Sequence, residues 1–248
     1  MILTVVIFII KYKVDAMPTI VFANPKGGAG KTTAAFLLAT ELAARGKTVN
    51  IIDADPNHPM AGWETNGGEQ DGLTITINAD EETILENINE AEETSDFVIV
   101  DLEGTANLSV AYAVSLADLV IVPAQRSQLD AKEAAKAVAL VKRQEKVSGR
   151  DIPVSILLTK TSPAIRSKGL RRMSDSMRKN NIDTFMVEVH EREPYKAVFD
   201  YSCTLYQLTS KQVSQAGLKT AKINAADYAA EVVKKLKSFK MQQEELVA

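Results

Sequence analysis

Cysteine is all but missing from this chain: Cys203 stands alone among 248 residues. An internal disulfide and any site built from several cysteines are thereby excluded, and the composition suits a reducing compartment such as the cytoplasm. Long apolar runs are scarce too. The nearest approach, Met1 to Ile10, falls well short of the ~20 residues a membrane-spanning helix needs. Its basic residues, Lys11 and Lys13, follow the run, whereas a secretory signal carries its charge in front. No stable membrane insertion is expected. Nothing resembles a long linker, and with 46% hydrophobic residues the chain has side chains enough for one full core. The guanine-recognition pattern N-K-x-D is also lacking, because Leu157-Leu158 is followed by Thr159-Lys160-Thr161.

What is present is a phosphate-binding loop. Thr19 to Ala23 reads as a short buried strand and Thr32 to Leu42 as a helix, so the run Asn24-Pro25-Lys26-Gly27-Gly28-Ala29-Gly30-Lys31-Thr32-Thr33 joins a strand to a helix N-terminus. Glycines there let backbone N–H groups close around phosphate oxygens, and the helix dipole favours an anion. Lys31 would reach the β- and γ-phosphates, and the Thr32 hydroxyl would ligate Mg²⁺. Further strand-like runs fall at Thr48–Asp53, Leu73–Ile77, Phe97–Asp101, Leu119–Pro123, Val154–Leu158 and Phe185–Val189, with helix-like segments between most of them. That alternation predicts an α/β fold with a mostly parallel sheet covered by helices on both faces. Ligands in such folds sit at the carboxyl ends of the strands.

The loop departs from G-x-x-x-x-G-K-[ST], since Pro25 stands where the first glycine belongs. The run Lys26 to Thr33, K-G-G-x-G-K-T-T, resembles instead the deviant Walker A loop of the ParA/MinD family of ATPases, closest to the small ParA type without an N-terminal helix-turn-helix. The resemblance implies a single P-loop domain over residues 17–248, with 1–16 an upstream extension; an added edge strand or a membrane-contacting tail are the other readings of that segment. It implies ATP and Mg²⁺ held by Lys26, Gly27, Gly28, Ala29, Gly30, Lys31, Thr32 and Thr33, with Lys26 crossing into a partner subunit. Asp53-Ala54-Asp55-Pro56-Asn57 resembles the family's switch I. Asp53 then belongs to the metal site, and Asp55 either supports hydrolysis or caps the turn ahead of Pro56. Phe97 to Asp101 is a strand ending in the Walker B carboxylate, so Thr32, Asp53 and Asp101 are the expected metal residues and Lys26, Lys31 and Asp55 the catalytic ones. Where many relatives have a proline pair, this chain has Glu103-Gly104; Glu103 either orders water or faces solvent. Adenine is expected beside Val189 to Pro194, with Arg192 and Pro194 as contacts and His190 either a ligand or a packing residue. Without cysteine pairs, the iron–sulfur members of the family are excluded.

Charge is unevenly placed, although the net value is only −3. Residues 160–179 include Arg166, Lys168, Arg171, Arg172 and Arg178, which is either a solubilising helix face or a surface for polyanions. The resemblance favours the second: ATP brings two subunits together, the homodimer binds double-stranded DNA nonspecifically, and a centromere-binding, ParB-like partner stimulates hydrolysis. A cytoplasmic, nucleoid-associated partition ATPase follows. Two alternatives stay open: a conjugative DNA-transfer ATPase of the same family, and a MinD-like membrane switch using the stripe Val232, Val233, Leu236 and Phe239, which reads equally as packing of the last helix.

Overall fold

Runs of β-branched and apolar residues become strands, and the central ones, buried almost throughout, sit between helices that hide both of their faces. The computed structural model describes residues 17–77, 80–104, 108–162 and 182–247. Segment 1–16 and the basic residues Arg166, Lys168, Arg171, Arg172 and Arg178 lie outside them. The strands are β1 (Thr19–Phe22), β2 (Val49–Ala54), β3 (Leu73–Ile77), β4 (Phe97–Leu102), β5 (Leu119–Ala124), β6 (Val154–Thr161), β7 (Asp183–Thr184) and β8 (Val189–His190). The helices are α1 (Lys31–Ala43), α2 (Ala61–Thr65), α3 (Ile84–Thr94), α4 (Leu108–Leu116), α5 (Gln128–Ser148), α6 (Glu193–Asp200) and α7 (Gln215–Val247). The strand order is β3-β2-β4-β1-β5-β6-β7, with β8 also paired to β6, and every pairing is parallel.

Alternation along β1 divides the core into two layers. Ile20 and Phe22 join α1, α6 and α7 on one side, while Val21 and Ala23 join α3, α4 and α5 on the other. Helix α1 is buried on nearly all sides, because α7 lies over it and the sheet lies under it. The stripe on α7 is therefore spent on packing: Val232, Val233 and Leu236 are buried, and Phe239 packs partly buried against the same cluster. That burial removes the apolar face a membrane-contacting reading needs. Among the described residues, no helix is long and apolar enough to cross a membrane.

One sequence expectation fails. Phe185–Val189 is not one strand: the two-residue β7 ends at Thr184, just before it, and the two-residue β8 begins at Val189, its last residue. The backbone N–H groups of Met186 and Val187 donate to the Glu231 carboxylate on α7, at 2.7 Å each. Phe185 is buried against Tyr228, with ring centroids 5.9 Å apart. A side chain thus takes the hydrogen bonds a strand would have given to its neighbour.

Tyr228 itself is fully buried, and its hydroxyl has no hydrogen-bond partner among the described residues. An unsatisfied buried hydroxyl costs about 1–3 kcal/mol. Tyr228→Phe should therefore raise the urea midpoint, with a gain of about 1 kcal/mol; a loss of stability would mean that the hydroxyl is bonded after all.

Candidate nucleotide site

Register brings the chemistry to one level. Phe22 of β1 pairs with Asp101 of β4, and Asp53 of β2 pairs with the same Asp101. Because the chain leaves β1 for β2 and returns to fill the place between them with β4, the loops after all three strands open at one sheet edge.

The loop after β1 is held from several sides. Asn24 donates its side-chain N–H to the Pro123 carbonyl at 2.5 Å, and its Oδ1 accepts the Lys26 amide at 2.8 Å. On the far side, the Thr159 hydroxyl donates to the Ala29 carbonyl at 2.6 Å. Gly28 and Gly30 adopt left-handed φ values of 72° and 93°, which a side chain would disfavour. No side chain caps α1, so its first amides are open to an anion.

Gly104, in the loop after β4, approaches from the opposite wall. A Cβ added there would lie 2.9 Å from the Pro25 carbonyl oxygen. Gly27 is different, since a Cβ added to it meets nothing within 4 Å among the described residues.

Between these walls is a cleft of about 440 Å³ lined by the loop glycines, Lys31, Thr32, Asp55, Asn57, Glu103 and Gly104. Lys31 is buried, with Nζ 3.3 Å from the Asn24 carbonyl. The Thr32 hydroxyl donates to Asp101 Oδ2 at 2.6 Å. Asp101 is fully buried and its Oδ1 has no hydrogen-bond partner among the described residues. Burial pushes its carboxyl up to about 7, against the pull of the Thr32 hydrogen bond and the Lys31 charge. A hydroxyl beside a buried carboxylate with an open oxygen suits a hard divalent cation, which takes oxygen ligands.

The two switch I carboxylates divide. Asp53 is fully buried and turned into its own loop, where Oδ2 accepts the Met60 amide at 2.9 Å and Oδ1 the Asp55 amide at 3.3 Å. Burial raises its pKa, opposed by those same amides. Asp55 lines the cleft, its Oδ1 accepting the amide and the side chain of Asn57 at 2.9 Å each.

Lys26 is not on the cleft wall. Its Nζ lies 2.6 Å from Asp130 Oδ1, pairing a side chain that is 31% exposed with one that is 2% exposed. Burial pushes the Asp130 carboxyl up, but hydrogen bonds from Lys26 and Ser127 outweigh it and hold the group below its usual range. Asp130 escaped the sequence reading. The signal was Ser127-Gln128-Leu129-Asp130, a capping pattern in which the Ser127 side chain accepts the Asp130 amide at the start of α5.

A second pocket, about 160 Å³, adjoins the first at Gly30, Thr33 and Lys160 and continues along Val189, His190, Glu191, Arg192 and Tyr195. Of the two expected adenine contacts, Arg192 lines it, donating to the Thr220 hydroxyl at 2.9 Å, while Pro194 is buried as the second residue of α6 and stays off the wall. His190 also lines the pocket, its Nδ1 2.7 Å from the Thr161 hydroxyl. Burial, then the Arg192 charge, lower its pKa.

An open helix N-terminus, a buried lysine and a cation-ready carboxylate at adjacent strand ends give the organisation of P-loop nucleotide-binding proteins. The model of the family described as VirC1 protein matches residues 17–245. Protein ParA of Rhizobium radiobacter is 36% identical over 220 residues, covering 89% of this chain and 98% of that one. Protein virC1 of the same organism is 28% identical over 187 residues, covering 73% and 80%. Among solved structures, an ATP complex of Cyanothece McdA superposes with a TM-score of 0.67 at 17% identity, covering 91% of this chain and 98% of that one. The chain belongs to the VirC1 family, within the ParA/MinD group of P-loop ATPases.

Proposed function

We propose that this protein is a ParA-type ATPase that dimerises on ATP·Mg²⁺, binds DNA nonspecifically as the dimer, and serves DNA partition through partner-stimulated hydrolysis. The observation that carries the reading is the position of Lys26, which belongs to the phosphate loop yet lies outside its own cleft, paired with Asp130. A lysine so placed would reach the phosphates of a second copy on leaving Asp130. Gly27 agrees with this, since its open side leaves room for a facing subunit. The 36% identity to a protein named ParA favours partition over conjugative transfer.

Within one subunit, Lys31 would hold the β- and γ-phosphates and the α1 amides their oxygens. Thr32 and Asp101 would hold Mg²⁺, which supplies positive charge against the phosphate oxygens. Asp53 fixes the turn after β2 rather than facing the cleft, and Asp55 on the cleft wall would orient a water. The DNA surface proposed from sequence is Arg166, Lys168, Arg171, Arg172 and Arg178. A ParB-like partner would trigger hydrolysis and release, giving a cytoplasmic protein associated with the nucleoid.

The test is binding of sequence-random duplex DNA with ATP·Mg²⁺, ADP or no nucleotide, for wild type and Lys31→Ala. Binding is expected with ATP alone and is lost in the variant. If about seven bases meet phosphates, log K should fall against log[salt] with a slope near −6. Absence of binding in every state would remove DNA from the proposal.

A further inference from the structure

Strand β6 is buried at every residue but one. Lys160 is exposed between the buried Thr159 and Thr161, and it has a φ of 49°, left-handed backbone that a side chain adopts only at a cost. The pairing with β8 shifts register at this residue, Thr159 facing Val189 and Thr161 facing His190. Such bulges re-aim a side chain. Both neighbours are fastened: the Thr159 hydroxyl donates to the Ala29 carbonyl in the phosphate loop, and Thr161 pairs with His190 beside the second pocket. The strain is thus imposed by contacts that tie the phosphate loop to the base-side loop.

Lys160 borders both the phosphate cleft and the second pocket, together with Gly30 and Thr33. Among the described residues its ammonium makes no hydrogen bond or ion pair, and the nearby Glu191 is engaged by Lys196 instead, at 2.9 Å. If the triphosphate lies along Gly27 to Thr33 and the base lies against Val189 to Tyr195, the junction must hold what connects them, the α-phosphate and ribose. The geometry points to Lys160 as a nucleotide-binding residue, its ammonium on the α-phosphate. This rests on the reading of the cleft as a nucleotide site. Lys31 covers the β- and γ-phosphates; Lys160 gives the protein a separate grip on a group that ATP and ADP share, so it sets affinity for both rather than the choice between them.

The experiment is calorimetric titration with ADP of the full chain as wild type, Lys160→Met, Lys160→Gly and Lys31→Ala, with adenosine competed against ADP. Lys160→Met keeps the stem and removes the charge, and should weaken ADP ~10-fold, the scale of one charge-assisted hydrogen bond. Lys160→Gly should weaken ADP as much while melting at a higher temperature, because glycine relieves the left-handed φ. A purely structural lysine would move the melting temperature and leave affinity alone. ADP affinity within twofold of wild type in Lys160→Met, with Lys31→Ala impaired, overturns the role of Lys160 and spares the nucleotide site. Undiminished ADP binding by Lys31→Ala, or none by wild type, overturns both. An equal loss for adenosine would move Lys160 from the phosphate to the sugar or base, and so sink the assignment.

Discussion

Asp101→Asn is expected to lower Mg²⁺-dependent ATP turnover more than 100-fold and, at the same time, to make the nucleotide-free protein more stable. The first effect follows from losing the carboxylate charge, bonded to the Thr32 hydroxyl, that would face Mg²⁺. The second follows from burial. The carboxyl lies fully out of water with one oxygen unpartnered, and its pKa rises from the ordinary 3.8 to about 7. An acid whose folded pKa is raised keeps its full contribution to stability below its unfolded value, then loses it as pH climbs through the folded one. For Asp101 the window runs from about pH 4 to pH 7, and the loss across it is on the order of 4 kcal/mol. Urea melts of the nucleotide-free wild type should show this decline, and Asp101→Asn should flatten it. At pH 8 the variant should be the more stable by about 1–3 kcal/mol, the scale of an uncompensated buried polar group. A variant no more stable than wild type at pH 8 would show that the carboxylate is solvated in solution.

Lys26→Ala should abolish ATP-dependent dimerisation and cut partner-stimulated hydrolysis at least 10-fold, while nucleotide binding by the single subunit stays near wild type. The reason is positional, because Lys26 does not line its own cleft and its ammonium rests on Asp130. To act in a second subunit it must leave that carboxylate. Asp130→Asn should therefore let dimers form at a lower protein concentration, by roughly threefold, since an ion pair whose lysine is partly open to water contributes about 1 kcal/mol or less. Sedimentation with a non-hydrolysable ATP analogue measures both. A Lys26→Ala protein that still dimerises with ATP would defeat the crossing role.

Much of this site was legible because its parts are contiguous. The loop from Asn24 to Thr33 and the strand ending at Asp101 each carry their pattern in a few consecutive residues, and alternating apolar runs placed both at one sheet edge. What escaped depends on distance along the chain. Asp130 reaches Lys26 across 104 positions, and Thr159 reaches Ala29 across 130. No local period encodes either. Phe185–Val189 had the composition of a strand, yet a single carboxylate on α7, Glu231, claimed two of its amides. Asp53 and Asp55, two residues apart on a strand end, read in sequence as pointing the same way, one for the metal and one for hydrolysis; the turn to Met60 separates them, burying the first and leaving the second on the cleft wall.

That claim by Glu231 also shapes how the molecule meets its neighbours in a crowded cell. A parallel sheet ends in two margins, and an unpaired strand margin is a template on which foreign chains can stack. Among the described residues, one margin is reduced to the two residues of β7, flanked by amides that a carboxylate has already claimed and by Lys235, whose ammonium lies 2.5 Å from Asp183. Of the two margins so described, the five residues of β3 are the longer template for strand-on-strand aggregation.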